Sequence, residues 1–334
     1  MNAIMQTGYG DPHAVLELRT VDQPTLGPDD VLVKVAATSV NTPDWAAVTG
    51  RPTMLRLVFG IRRPAAPIRG TDVAGTVVAI GDRVGGFDIG DEVYGSTSAP
   101  NPRQQAGTFA EYTVVPATQL APKPPSLSFE QAAASVMSGT TALSLLRDTG
   151  AVGPNTRLLV NGSSGGVGTF AVQIAKALGA HVTGVASDTN ADLVRALGAD
   201  VVIDYTRDSF PDLDDQYDVI LDNVMNHPPR RVARALADDG ILIPNSIGSG
   251  SRLLGGLPRI ARAKLLGLGR TDVRTANPGT TRSDLEALTE LIEAGTITPV
   301  IDNRFELADA ADAVARMLTH RARGNIVITI TPTN

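Results

Sequence analysis

Residues 158–179 read LLVNGSSGGVGTFAVQIAKALG, in which an apolar run passes through a glycine-rich turn into a helical pattern. Gly165 and Gly168 would let the backbone approach a pyrophosphate and let the helix pack closely against the preceding strand. The N–H groups that open the helix would face the phosphates. Because a strand pattern precedes the turn and a helix pattern follows it, the stretch predicts a dinucleotide-binding unit. Its predicted contacts are Ser163, at the place of the first fingerprint glycine, and Ser164, Gly165, Gly166, Val167 and Gly168.

Short apolar strands alternate with helical stretches on both sides of this turn, from Ser128 onward. Such alternation is typical of βαβ units and of a parallel sheet that helices cover on both faces. The predicted strands are residues 157–160, 181–186, 201–204, 218–221 and 240–244. The pattern therefore predicts a Rossmann doubly wound domain, which begins after the prolines at 122, 124 and 125.

The first third of the chain has a different pattern. Its β-branched runs at 31–35, 73–80, 92–95 and 109–115 are punctuated by Gly, Asp and Pro, with no crossover helices between them. This favours an antiparallel, partly closed β-barrel. Two helices, at 283–293 and 308–318, and a β run at 325–330 end the chain. Periodicity does not decide where this tail packs.

Ser187 stands at the end of the second predicted strand, where an acidic side chain would bond a ribose 2′-hydroxyl and repel a 2′-phosphate. A serine hydroxyl can donate to phosphate, which favours NADPH over NADH. Asp188 follows directly, however, and no lysine or arginine comes until Arg195. NADPH is the predicted cofactor, and NADH stays open.

Composition limits the classes of partner. The 334 residues, 43% of them hydrophobic, exceed the usual size of one domain, and a net charge of −6 argues against a nucleic-acid partner. The absence of cysteine excludes disulfides and thiolate zinc sites. Residues 1–10 lack a signal-peptide pattern, and no segment has the apolar length of a membrane span. A soluble cytoplasmic protein is expected.

The chain resembles the medium-chain dehydrogenase/reductase superfamily, specifically its zinc-free quinone oxidoreductase branch. The blocks that carry the resemblance are residues 39–44, 70–77, 90–95, 107–112, 138–142, 165–168 and 197–200. The resemblance implies an α/β protein with a GroES-like β-barrel catalytic domain, residues 1–124 and 268–334, and a Rossmann nucleotide-binding domain, residues 125–267. It also implies an active site in the cleft between the domains, and a homodimer.

The same resemblance bears on zinc. In zinc-dependent members a cysteine stands where this chain has Asn41, and Gly-His-Glu stands where it has Gly70-Thr71-Asp72. Without thiolate or imidazole at these places a tetrahedral catalytic zinc has no ligands, so no metal site is predicted. The four histidines show no ligand spacing.

Further site residues follow from the resemblance. Asn41 corresponds to a polar residue at the nicotinamide end and Thr141 to a threonine that seats the nicotinamide. Tyr205 resembles the tyrosine near the adenosine phosphate. Arg321 or Arg323 would bind the 2′-phosphate, since members of the family use a C-terminal arginine there. Gly248, which opens a glycine-rich basic segment, is a further predicted cofactor contact.

The predicted chemistry is hydride transfer to a conjugated carbon of a small hydrophobic quinone or α,β-unsaturated carbonyl compound. Asn41 would donate its amide to the substrate carbonyl, and water or Tyr94 would supply the proton. The alternatives are structural: Asn41 could cap a turn, and Tyr94 could fill the barrel. Asp44 and Asp72 are expected to fix loops and backbone amides.

Other functions on the same scaffold stay open. One is a ketone or enoyl-thioester reductase in a biosynthetic pathway, and another is a catalytically idle, crystallin-like NADPH-binding protein. Residues 54–61 and 253–268, both apolar with interspersed basic residues, are candidates for the substrate pocket. The second segment could cover a hydrophobic substrate, contact an anionic surface or form a solvated lid.

Overall fold

The computed structural model describes residues 1–98, 106–246, 253–269, 271–275 and 279–330, which form two compact units. The first unit comprises Met1–Thr140, Gly279–Gly295 and Pro299–Asn334, and the second comprises Thr141–Pro278 and Thr296–Thr298. The predicted domain limits at residues 124 and 268 are a different division of the chain and stay a prediction.

The strands and α-helices have the following bounds. The strands are β1 (Asn2–Gln6), β2 (Leu16–Thr20), β3 (Asp30–Val40), β4 (Asp72–Ile80), β5 (Glu92–Ser96), β6 (Tyr112–Pro116), β7 (Leu120–Pro122), β8 (Arg157–Asn161), β9 (His181–Ala186), β10 (Val201–Asp204), β11 (Tyr217–Asp222), β12 (Leu236–Pro244), β13 (Asp272–Val273), β14 (Ile301–Glu306) and β15 (Asn325–Thr329). The helices are α1 (Pro12–Val15), α2 (Thr42–Thr49), α3 (Arg56–Phe59), α4 (Phe129–Leu143), α5 (Gly166–Ala177), α6 (Asp188–Ala196), α7 (Pro229–Val232), α8 (Leu257–Leu266), α9 (Arg282–Glu293) and α10 (Ala310–Leu318).

The first unit is built on a sheet in the order β14-β15-β3-β4-β5-β7, and β6 also pairs with β3. All pairings except β14 with β15 are antiparallel, as the first third of the sequence predicts. Val31, Val33 and Val35 alternate into the core of this unit. The tail strand β15 pairs with β3, with Ile326 opposite Val40. This pairing answers the question of where the tail packs.

The second unit is a parallel sheet in the order β10-β9-β8-β11-β12-β13. This is the 3-2-1-4-5-6 order of a Rossmann domain, so the predicted fold class is confirmed. The five predicted strands all form. The fifth begins four residues earlier than predicted, and the short edge strand β13 has no counterpart in the prediction.

Tyr94 lies in β5 with no exposed surface. Its hydroxyl donates to the carbonyl oxygen of Leu285 at 2.6 Å and lies 2.8 Å from Oγ1 of Thr289, both in α9. Burial raises the pKa of the Tyr94 phenol. In this structure the buried hydroxyl fastens α9 to the sheet, and a role of Tyr94 as proton donor stays a prediction.

Replacing Tyr94 with phenylalanine is expected to lower the free energy of unfolding by about 1 kcal/mol, because a buried bonded hydroxyl is lost while the ring still fills its space. Urea unfolding followed by circular dichroism measures this. Tyr205→Phe is the matched control, since that ring is 59% exposed, and its effect should stay within about 0.5 kcal/mol. Equal effects of the two substitutions would contradict a structural role for Tyr94.

Candidate functional site

The glycine-rich turn joins β8 to α5 as the sequence predicts. Gly162 has φ +79°, a conformation that favours glycine, and Gly165 is the N-cap of α5. The backbone N–H and the hydroxyl of Ser163 both donate to the carbonyl oxygen of Val185 in β9, at 3.1 and 3.0 Å. Ser163 is fully buried and fastens the turn to the sheet, and its contact with a cofactor stays a prediction.

Gly168 brings the helix against the turn. A Cβ at this position would lie 2.1 Å from the carbonyl oxygen of Gly162, so any side chain would push the helix away. The N–H groups of the first helical turn have no partners within the helix, and they carry the positive end of the helix dipole. Gly166, Val167 and Gly168 supply such groups at the carboxyl end of β8. These residues fit a dinucleotide pyrophosphate.

The carboxyl end of β9 lies beside the turn. Ser187 is the N-cap of α6, and its hydroxyl lies 2.9 Å from that of Thr189. The amide nitrogen of Asn190 donates to the hydroxyl of Ser164 at 3.2 Å. The structure therefore brings together two predicted cofactor contacts, Ser164 near the pyrophosphate position and Ser187 at the end of the second strand.

Arg207 is a residue that the sequence reasoning missed. The end of β10 lies beside the end of β9, with Asp204 opposite Ala186, and the Tyr205 N–H donates to the Ala186 carbonyl oxygen at 3.1 Å. Arg207 follows in the same turn, where its N–H donates to the Asp204 carbonyl oxygen. Its side chain is 73% exposed, and its Nε lies 3.5 Å from an Asp204 carboxylate oxygen. The sequence did contain a signal for Arg207, because it lies three residues after the predicted strand 201–204, which the Rossmann order places beside β9.

A polar cluster at the carboxyl ends of β8, β11 and β12 was also missed. The amide nitrogen of Asn161 donates to the Asp222 carboxylate at 2.7 Å, and that of Asn245 donates to the Asn223 side-chain oxygen at 2.7 Å. Burial raises the pKa of Asp222. Within the described residues the buried amide nitrogen of Asn223 has no hydrogen-bond partner. A free donor at the edge where Rossmann sheets bind ligands fits a polar group of a bound dinucleotide.

Asn41 lies in the first unit at the end of β3 and is 6% exposed. Its amide nitrogen donates to the Ser39 hydroxyl oxygen at 2.9 Å and to the Asp72 carboxylate at 2.8 Å. Ser39 also donates to Asp72 at 2.6 Å, and the Met137 N–H donates to the same carboxylate at 3.2 Å. Both amide hydrogens of Asn41 are thus used within the protein in this conformation.

Asp44 and Asp72 are buried carboxyl groups that hold loops, as expected. Asp44 accepts from the N–H groups of Asn41 at 2.7 Å and Gly70 at 3.1 Å. Burial raises the pKa of Asp44 to about 7 and that of Asp72 to about 6. Asp72 and its neighbour Thr71 stand at the place of the zinc ligands of zinc-dependent members, and the carboxylate is directed at Ser39, Asn41 and a backbone amide.

The other predicted contacts are spread over the chain. Thr141 lies in α4 at the start of the second unit. Arg321 and Arg323 are exposed residues of the first unit, between α10 and β15, whereas Ser187 and Tyr205 belong to the second. Gly248 lies outside the described residues.

Comparisons with known proteins agree with this architecture. Residues 27–125 match the alcohol dehydrogenase GroES-like domain, and residues 197–328 match the zinc-binding dehydrogenase family. A chloroplast envelope quinone oxidoreductase homolog from Arabidopsis thaliana is 30% identical over 98% of both chains. The 2-methylene-furan-3-one reductase of Solanum lycopersicum is 32% identical over 98% of this chain and 79% of its own.

A solved structure extends the comparison to the fold. The Escherichia coli quinone oxidoreductase complexed with NADPH superposes with a TM-score of 0.83 at 25% identity, over 98% of this chain and all of its own. The resemblance seen in the sequence blocks is confirmed by these matches. The chain belongs to the quinone oxidoreductase branch of the medium-chain dehydrogenase/reductase superfamily.

Proposed function

We propose that the protein is an NADPH-dependent reductase of quinones or α,β-unsaturated carbonyl compounds that works without a metal. The observation that carries the proposal is the glycine turn of the second unit, where Gly168 packs directly against Gly162 and presents the start of α5. Relatives that match nearly the whole chain are named as quinone oxidoreductase and as furanone reductase. When bound, the nicotinamide would supply the hydride.

The second unit offers groups for each part of the cofactor. The N–H groups at the start of α5 would hold the pyrophosphate. Ser187, Tyr205 and Arg207 gather at the ends of β9 and β10, and a hydroxyl, a phenol and a guanidinium there suit a 2′-phosphate. The free amide donor of Asn223 would bond a polar group nearer the nicotinamide. This set supports NADPH over NADH.

The residues of the first unit do not fit a catalytic zinc. Asn41, Thr71 and Asp72 offer an amide, a hydroxyl and one carboxylate where zinc chemistry needs thiolate or imidazole. The Asp72 carboxylate already accepts hydrogen bonds from Ser39, Asn41 and the Met137 N–H. Polarisation of the substrate carbonyl would therefore rest on hydrogen-bond donors of the chain.

Asn41 is the candidate donor. Donation to a substrate carbonyl would require its amide to exchange the bond to Ser39 for one to the substrate, while Asp72 keeps the other amide hydrogen and holds the side chain in place. Water then supplies the proton, since the Tyr94 hydroxyl is engaged with α9.

The rival functions differ from the proposal in product, in substrate or in turnover. A ketone reductase on this scaffold would consume the C=O bond. An enoyl-thioester reductase would consume the C=C bond, as the proposed enone reductase does, but in a thioester substrate. An idle binding protein would bind NADPH without turnover. A homodimer and a cytoplasmic location belong to the proposal.

The first test is anaerobic oxidation of NADPH and of NADH, followed at the nicotinamide absorbance with a quinone and a simple enone as acceptors. Turnover is expected with NADPH and is expected to be faster than with NADH, with loss of C=C from the enone. Tight NADPH binding without turnover on any acceptor would contradict the proposal and favour the idle binding protein.

Substitution of Asn41 by alanine is expected to lower kcat by about 100-fold with little change in the Kd for NADPH, because a donor to the developing oxyanion is lost. Ser39→Ala is the matched variant, since it removes the competing acceptor of the Asn41 amide. It should keep or raise kcat if Asn41 donates to substrate. Parallel loss of stability in both variants, with unchanged kcat, would assign Asn41 a structural role only.

Arg207→Ala is expected to raise the KM for NADPH at least about tenfold and to leave the KM for NADH within about twofold, since a charge-assisted bond to phosphate is lost. Arg195→Ala is the control: this exposed arginine pairs with Asp192 within α6. Equal changes for the two nucleotides, or equal changes in the two variants, would exclude Arg207 from the 2′-phosphate site.

A further inference from the structure

Helix α8 of the second unit exposes a leucine face. Ala263 is fully buried, and Nη1 of Arg259 donates to the Met225 carbonyl oxygen at 2.6 Å, so these residues define the inward side. Successive helical residues are about 100° apart, which places Leu265 opposite Ala263. Leu265 is 68% exposed, and Leu268, just after the helix, is 83% exposed. The outward face of α8 is thus apolar where a solvated helix would be polar.

Positive charge flanks this face on both sides. Arg262 and Lys264 precede and follow Ala263, and both are exposed. At helical spacing they lie about 100° to either side of Ala263 and so border Leu265. The sequence between Asp239 and Asp272 contains five basic residues and no acidic one, although the whole chain carries a net charge of −6. The positive charge is therefore local to this segment.

The combination suits an interfacial helix. α8 has 10 residues and is about 15 Å long, half the thickness of a bilayer core of about 30 Å. In the described parts of the chain, no helix has the length and apolar character needed to cross a membrane. A short helix with leucines in the centre and long cations at the borders lies along the surface, with the leucines below the headgroups and the cations among the phosphates.

The positive charges beside this face also indicate which partner covers it, a second copy of the chain or a lipid bilayer. If the two-fold axis of a dimer crossed this face, so that it packed on its own copy, the Arg262 and Lys264 side chains of both copies would come together and their like charges would repel. A bilayer with anionic headgroups complements the same residues, and each basic side chain near such a surface strengthens binding. Complementarity therefore favours an anionic lipid surface.

We propose that α8 and Leu268 form a reversible binding site for anionic lipid bilayers. The site lies in segment 253–268, which could also cover a substrate, and it contains none of the predicted cofactor or catalytic residues. Binding is measured without cofactor or substrate, so its outcome is separate from that of the proposed reductase chemistry.

The test is co-sedimentation of the full chain at low salt with vesicles of phosphatidylcholine, alone or with about a third phosphatidylserine, a fraction that gives an appreciable negative surface potential. Binding is expected to the anionic vesicles and to fall as salt rises. The double variant Arg262→Gln/Lys264→Gln should bind about 25-fold more weakly, about fivefold for each charge. Arg19→Gln/Arg83→Gln, in the first unit, changes the net charge equally and should bind like the wild type.

The leucines are tested separately. Leu265→Ser/Leu268→Ser should weaken binding at least about tenfold, because apolar surface no longer enters the bilayer. Ile89→Ser is the matched control, since Ile89 is 69% exposed in the other unit. Because the chain has no cysteine, Leu265→Cys accepts a single polarity-sensitive fluorophore, whose emission should shift to the blue on anionic vesicles. The same label at Ile89→Cys should not shift.

Three binding results would overturn the proposal: no binding to anionic vesicles at low salt, equal binding to neutral vesicles, or unchanged binding of the α8 variants. A change of oligomeric state in the leucine variant would also overturn it, because the exposed face would then be a contact between copies of the chain. Thermal unfolding and NADPH binding of each variant confirm that it is folded.

Discussion

The second unit depends on the approach of two glycines. The carbonyl oxygen of Gly162 occupies the space that any Cβ at Gly168 would need, at 2.1 Å, so the helix can begin against the turn only because no side chain is present. That contact sets the start of α5 at the carboxyl end of β8. The Ser163 bonds to Val185 then lock the turn onto β9. Binding of an anion at the start of α5 would rest on the backbone N–H groups that this packing places there.

The first unit buries the Asp72 carboxylate at a position where the sequence resemblance places a ligand of zinc-dependent members. A buried carboxylate is costly unless hydrogen bonds satisfy it. Asp72 meets this requirement with donors from a side-chain hydroxyl, a side-chain amide and a backbone N–H, and even so burial raises its pKa to about 6. The same arrangement restrains Asn41, so the residue proposed to bind substrate is held by the buried Asp72 carboxylate.

Long-range strand pairing assembles both units. β15 lies beside β3 although nearly three hundred residues separate Val40 from Ile326, and β10 lies beside β9 after an intervening helix. These pairings bring polar residues together at strand ends. In the second unit they place Ser187, Tyr205 and Arg207 at the carboxyl ends of β9 and β10. Because Ser187 is distant from the other two in the sequence, this proximity cannot be seen from the sequence.

The sequence by itself determined the features whose physics is local. The glycine turn, the change from a β-rich to an alternating pattern, the parallel strands and the absence of thiolate ligands were all readable, because each depends on neighbouring residues or on composition. Only the tertiary structure decided the partners of the polar groups. The Tyr94 hydroxyl is used by α9, the Asn41 amide by Ser39 and Asp72, and Arg207 lies at the edge that carries Ser187. A hydrogen bond between distant residues depends on sheet register and helix packing, and no local pattern encodes either.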